Sequence, residues 1–214
     1  MARRGAYGVR PMGSSYANLT VVGATTDAVI GALSGQEALV THARGGIVGV
    51  FPADEENGWP LLGQHLSAAL RTAVIGALVF DDDILNVLTW IDGELVDDLC
   101  VPDPADYFGP GAAAAAAEMA EFGDLAEMGI DAGALGLGPS ASPGHDARRL
   151  VELLRRGDAA EVRRVVEGDE AFATERHAKL AAALGLPAEF AGWGHHHLTR
   201  AGDDFAGGPL IAAP

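Results

Sequence analysis

The chain has 214 residues, 49% of them hydrophobic, with 14 Lys and Arg against 30 Asp and Glu, for a formal net charge of -16. That apolar mass can bury a core, which excludes wholesale disorder. The longest uncharged aliphatic run, near Ala73–Phe80, is a strand's length, far short of the ~20 residues a membrane helix needs.

The start, MARRGAYGVRPMG, is basic but has no apolar stretch behind it, so Arg3 and Arg4 do not read as a secretion signal. Cys100 is the single cysteine, which excludes an internal disulfide framework and a multi-Cys zinc site. The cytoplasm is the expected compartment. Charge is unevenly placed. Residues 1–44 carry +2, residues 45–145 carry -16, residues 146–200 balance nine acids with nine bases, and residues 201–214 carry -2. An acidic middle of this size repels nucleic-acid phosphates and anionic membranes and draws cationic partners inward. Solubility alone is the competing explanation, since solvated Asp and Glu keep a protein dispersed.

In chain order, residues 1–15 read as a loose tail rich in Gly and Arg. A short apolar strand follows at 19–22, and Thr25 or Thr26 caps a helix through Leu33. Residues 38–42 and 47–51 are predicted strands joined by the turn Arg44-Gly45-Gly46. An acidic loop occupies 52–57. Leu61, Leu62, His65, Leu66, Ala69 and Leu70 then recur at helical spacing, predicting a helix over 60–72. Ala73–Phe80, Ile84–Ile91 and Glu94–Val101 read as three strands, joined by Asp81-Asp82-Asp83 and by Asp92-Gly93, a pair suited to a type I′ hairpin turn. The order gives an α+β fold with a mainly antiparallel sheet, a ferredoxin-like βαββαβ unit extended by a β-hairpin, over residues 16–108.

Residues 109–144 change character. An alanine-rich helix is expected over 112–128, then a Gly/Ser/Pro linker over 129–144 that should be mobile. Residues 145–214 read as a helical region packed on the sheet, with helices at 146–156, 159–167 and 170–184 that stop at Gly157, Gly168 and Gly185.

Two clusters carry candidate chemistry. Pairing Ile91 with Glu94 would bring Ile84 beside Val101, so Asp103 and Asp106 would emerge near Asp81, Asp82 and Asp83, an oxygen-rich end suited to a hard divalent cation. Turn-favouring Asp at a hairpin end explains the same triplet. In Gly-Trp-Gly-His-His-His-Leu, a strand would point His195 and His197 to one face, and Asp203 or Asp204 could add a carboxylate, giving a candidate transition-metal site. His177, on an apolar helical stripe, reads as a hydrogen-bonded core residue, and Arg176 and Glu175 as members of surface ion pairs, with Glu175 and Lys179 at i,i+4. The doublets Arg148-Arg149, Arg155-Arg156 and Arg163-Arg164 lie in a region of zero net charge. They are expected to face Glu118, Glu121, Asp124 and Glu127 rather than nucleic acid.

The leading expectation is a non-catalytic module of the immunity, inhibitor or assembly-adaptor type that engages a basic protein. Its acids would be Glu55, Glu56, Asp81, Asp82, Asp83, Asp97, Asp98, Glu118, Glu121, Asp124 and Glu127. The alternatives are a metal-dependent enzyme or metal-binding module at 195–197 or 81–83, and a small-ligand sensor with a pocket between sheet and helices. No cofactor is called for beyond that possible divalent metal, and the sequence does not give an oligomeric state.

Overall fold

The computed structural model describes residues 14–56, 58–103, 144–201 and 204–213. The expected helix at 112–128 and nearly all of the expected linker lie outside them. Seven strands form one antiparallel sheet in the order β6-β5-β4-β1-β3-β2-β7. They are β1 Tyr16–Val22, β2 Ala38–Thr41, β3 Ile47–Pro52, β4 Ala73–Phe80, β5 Ile84–Ile91, β6 Glu94–Val101 and β7 Leu210–Ala213. Among the described residues six helices accompany it: α1 Thr26–Ala32, α2 Trp59–Leu70, α3 Ala147–Leu154, α4 Ala159–Val166, α5 Ala173–Ala183 and α6 His195–Ala201, with a 3₁₀ turn at Ala188–Phe190. The fold is α+β, and most of the helices follow the sheet.

Both faces of the sheet are covered, which explains why its strands are almost uninterrupted apolar runs. On one face Leu19, Val21, Val74, Leu88 and Trp90 pack with Val29 and Leu33 of α1 and with Trp59, Leu62 and Leu66 of α2. On the other, Tyr16, Ile75, Ala77, Val79, Leu85, Val87 and Leu99 pack with Leu150, Val162, Leu180, Leu184, Phe190 and Leu198 from the C-terminal helices. The Gly45-Gly46 and Asp92-Gly93 turns both have positive φ at their two central residues, as two-residue hairpin turns require. Strand β7 is a finding: the C-terminal segment adds an edge strand beside β2, where Ala38 faces Ala213 and Thr41 faces Leu210.

The expected register of β6 needs correction. Ile91 does pair with Glu94, but Trp90 pairs with Leu95 and Thr89 with Asp97, so Leu85 rather than Ile84 lies beside Val101. Val96 is the extra residue of a β-bulge. The one-residue slip exchanges the two faces of the strand beyond it, turning Asp97 and Leu99 onto the face where Thr89 and Val87 lie. There, Leu99 enters the core under the C-terminal helices.

Helix starts follow capping chemistry. Thr25 accepts from the Ala28 amide, and Asp146 and Asp158 cap α3 and α4. The amides of Arg149 and Arg148 hold the Asp146 carboxyl below its ordinary pKa. Helix α5 differs. Its N-cap residue, Phe172, offers no side-chain bond, and the helix begins at Ala173 rather than at the expected Glu170. Asp82 supplies the cap from 92 residues away, with Oδ1 accepting from the Thr174 amide at 2.8 Å and its carbonyl accepting from the Ala173 amide.

Candidate functional site

Strand directions decide where the acids gather. Antiparallel pairing puts the start of β1, the end of β3, the turn between β4 and β5 and the end of β6 at one end of the sheet. The loop after β3 brings Asp54, Glu55 and Glu56 there, the turn brings Asp81, Asp82 and Asp83, and the residues after β6 bring Asp103. Glu37, just before β2, joins them, its carbonyl accepting from the Ala53 amide at 2.9 Å. Glu37, Asp54, Glu56, Asp81, Asp83 and Asp103 are exposed. Arg44 and Arg71 lie at the opposite end, flanking the β2–β3 turn and the start of β4. Arg155 follows α3, in the loop whose Asp158 amide bonds to the Ala183 carbonyl at the far end of α5.

Some of the acids expected on a partner surface serve the fold instead. Asp97 is 2% exposed; its Oδ2 meets His145 Nδ1 at 2.9 Å and its Oδ1 accepts from the Asp146 amide. Asp82 caps α5 and donates its own amide to the Ser14 carbonyl. Glu55 accepts from the His196 amide at 2.8 Å and lies 2.8 Å from the same residue's Nδ1. Asp98 is half-buried in mid-strand opposite Leu88, away from the acidic end. Glu118, Glu121, Asp124 and Glu127 lie outside the described residues. The structure therefore brings Glu56, Asp81 and Asp83 together, adds Glu37, Asp54 and Asp103, and gives Glu55, Asp82 and Asp97 internal duties.

The histidine triplet is not a strand. His195, His196 and His197 open α6, where neighbours are about 100° apart, so His195 and His197 do not share a face. A glycine precedes them, and Leu198, 4% exposed, is the residue the helix buries. The ring that is held in place is His196: Glu55 grips its Nδ1, and the His197 ring sits against it with centroids 3.7 Å apart. His197 Nδ1 accepts from the Gly194 amide, and its ring meets Tyr16 edge-on at 6.2 Å. Asp203 lies outside the described residues. Among the described residues, no group of three or more His, Cys, Asp or Glu is placed to hold a metal ion.

Beneath α5 the sheet is polar. Asn18 donates to the Phe190 and Trp193 carbonyls, holding the 3₁₀ turn, and the Tyr16 hydroxyl meets His177 Nδ1 at 2.9 Å. His177 is a hydrogen-bonded core residue, and burial pushes its pKa from 6.5 down to about 4. Arg176, expected on the surface, is only 8% exposed and bonds to the Gly168 carbonyl beside Glu170. Glu175 and Lys179 do form the expected i,i+4 pair at 2.8 Å. A cavity of about 20 Å³ lies here, lined by Asn18, Thr20, Ala77, Val87, His177 and Leu184 among others. It has room for about one water rather than a ligand. Burial, with the charges of Asp98 and Asp103, pushes the Cys100 thiol up to about 11, so it is no ready nucleophile.

Comparison with known proteins finds no matching family model, no matching curated protein and no matching solved structure. Among the described residues, no helix is long and apolar enough to cross a membrane.

Proposed function

We propose that the protein is a non-catalytic cytoplasmic binding module, of the immunity, inhibitor or adaptor type, whose acidic sheet end engages a basic surface on another protein. One observation carries this reading. Glu37, Asp54, Glu56, Asp81, Asp83 and Asp103 are exposed at one end of the sheet, whereas at the other end the exposed acids Asp27, Asp92 and Glu94 are offset by Arg44, Arg71 and Arg155. A field of one sign at one end orients an approaching cationic protein and accelerates encounter in a salt-sensitive way. The same field disfavours nucleic acid and anionic membrane as partners.

A finer fold reading belongs with this proposal. Within the sheet, β4-β1-β3-β2 are contiguous and antiparallel, with α1 and α2 on one face, and this supports a ferredoxin-like unit extended by β5, β6 and β7. Because that unit hosts many functions, the charge carries the argument rather than the fold. The test is affinity capture on the full chain from an extract of its source cells. A basic protein retained at low salt and released at about 0.3 M salt, where the Debye length has shrunk to about 6 Å, supports the reading. Retention indifferent to salt counts against it. A second reading, metal binding, is favoured only by the Glu55–His196 pair, a carboxylate fixing one imidazole nitrogen as in metal-site support shells. Stoichiometric divalent metal in untagged protein is its test.

A further inference from the structure

Three histidines fasten the C-terminal helices to the rest of the fold, and they do so by two different chemistries. His145, at the start of α3, meets Asp97 at 2.9 Å, and His196, in α6, meets Glu55 at 2.8 Å. Each of these contacts sets an imidazole directly against a carboxylate. His177 of α5 meets a neutral partner, the Tyr16 hydroxyl, and is 8% exposed.

Among the described residues, no carboxylate pairs with the His177 ring. From β1 it meets Tyr16, whose ring stacks on it with centroids 5.9 Å apart. The cavity beside the ring is lined by Asn18 and Thr20 of β1, by Ile75, Ala77 and Val87 of β4 and β5, and by Pro187 and Phe190 at the 3₁₀ turn. His197 of α6 approaches Tyr16 rather than His177. On α5 itself, Arg176 and Lys179 are cations engaged with Glu170 and Glu175. A tyrosine hydroxyl can turn to accept from a protonated imidazole, so the hydrogen bond survives protonation. The charge itself is left without a counter-ion in a wall whose polar side chains, Asn18 and Thr20, are neutral, so its desolvation is poorly compensated. The one-water cavity beside the ring marks where solvent can first enter.

We propose that His177 is an acid-sensitive latch: protonating it releases α5 from the sheet while the carboxylate pairs at His145 and His196 keep α3 and α6 seated. The opened state uncovers the strip of Asn18, Thr20, Ala77 and Val87. Neutral pH keeps the latch closed. This device is independent of the charge-based reading above and stands or falls separately.

The experiment is amide hydrogen exchange on the full chain at pH 7.5 and pH 5, corrected for intrinsic exchange rates. With the imidazole near 6.5 when released and about 4 when closed, the α5 opening equilibrium should rise about 30-fold over that interval. Protection at amides that open locally in α2, on the other face, should hold, as should that at such amides of α3 and α6, whereas amides that exchange only through global unfolding follow the loss of stability. In H177Q, whose amide can still bond the Tyr16 hydroxyl but cannot titrate in this range, the rise in α5 should vanish. Unchanged α5 protection in the natural protein, equal loss at the locally opening amides of α5 and α2, or an undiminished rise in H177Q would each overturn the proposal. The comparison of α5 with α2 needs no variant, so it stands even if H177Q folds poorly.

Discussion

Asp97 Oδ2 sits 2.9 Å from His145 Nδ1, and the contact exists because the bulge at Val96 turns Asp97 inward toward the start of α3. The same carboxylate accepts from the Asp146 amide, while Asp146 in turn caps α3, so sheet, loop and helix start are joined through two successive acids.

Asp97→Ala should therefore cost roughly 3 kcal/mol, the range for breaking a buried pair and stranding its partner. Its neighbour Asp98, half-buried and on the other face, should cost under about 1 kcal/mol on the same change. Urea unfolding midpoints at neutral pH measure both. Equal small losses would show that the Asp97–His145 contact adds nothing.

Two glycines act as notches for tryptophan. A Cβ on Gly63 would stand 2.5 Å from Trp90 Cζ3, and one on Gly76 would stand 2.6 Å from Trp59 Cζ3. Gly63→Ala and Gly76→Ala should each destabilise by about 1–3 kcal/mol through overpacking. Gly31, in α1, has open space around its would-be Cβ, so Gly31→Ala should stabilise by about 0.5–1 kcal/mol. Thermal melts of the three variants give the signs directly.

Stability should fall with acid through His177. Its folded pKa, about 4, lies below the ordinary 6.5, so between those values the unfolded chain binds the proton and the folded chain does not. The contribution is fully present above about pH 6.5, is lost as pH falls toward 4, and levels off below; the full shift corresponds to about 3 kcal/mol. Denaturation of natural protein and H177Q across that range should show the natural chain losing more. Parallel curves would remove His177 from the account.

What the sequence showed, it showed through local chemistry. The strands β4, β5 and β6 were legible because a sheet covered on both faces keeps long apolar runs, and Asp92-Gly93 marks its own turn. Thr25 is legible as a cap for the same reason: the partner amide is three residues away. The bulge at Val96 was not, since ELVDDLCV holds no glycine to mark it. Strand β7 is four residues long, and its pairing with β2 is a tertiary fact.

At the candidate site the divide is sharper. The gathering of acids followed from turn positions and strand order, and Glu56, Asp81 and Asp83 fell where that logic places them. The internal duties of Glu55 and Asp82 did not, because their partners lie 141 and 92 residues away. The histidine triplet misled by composition: it opens α6 rather than forming a strand, and the helix turns Leu198 into the core. Asp82 is the instructive case, a turn residue by local chemistry that proves to be the missing cap of α5.

The most direct test of the acidic sheet end compares the natural chain with a triple reversal, Glu56→Lys, Asp81→Lys and Asp83→Lys, as baits for the same basic partner. These side chains are exposed, and surface charges contribute under about 1 kcal/mol each to folding, so the variant should remain folded by circular dichroism. Its association rate with the partner captured by the natural chain should fall at least tenfold at low ionic strength, and the two rates should converge as salt is added. Equal rates for both chains at every salt concentration would contradict the electrostatic account and leave the acidity as a matter of solubility.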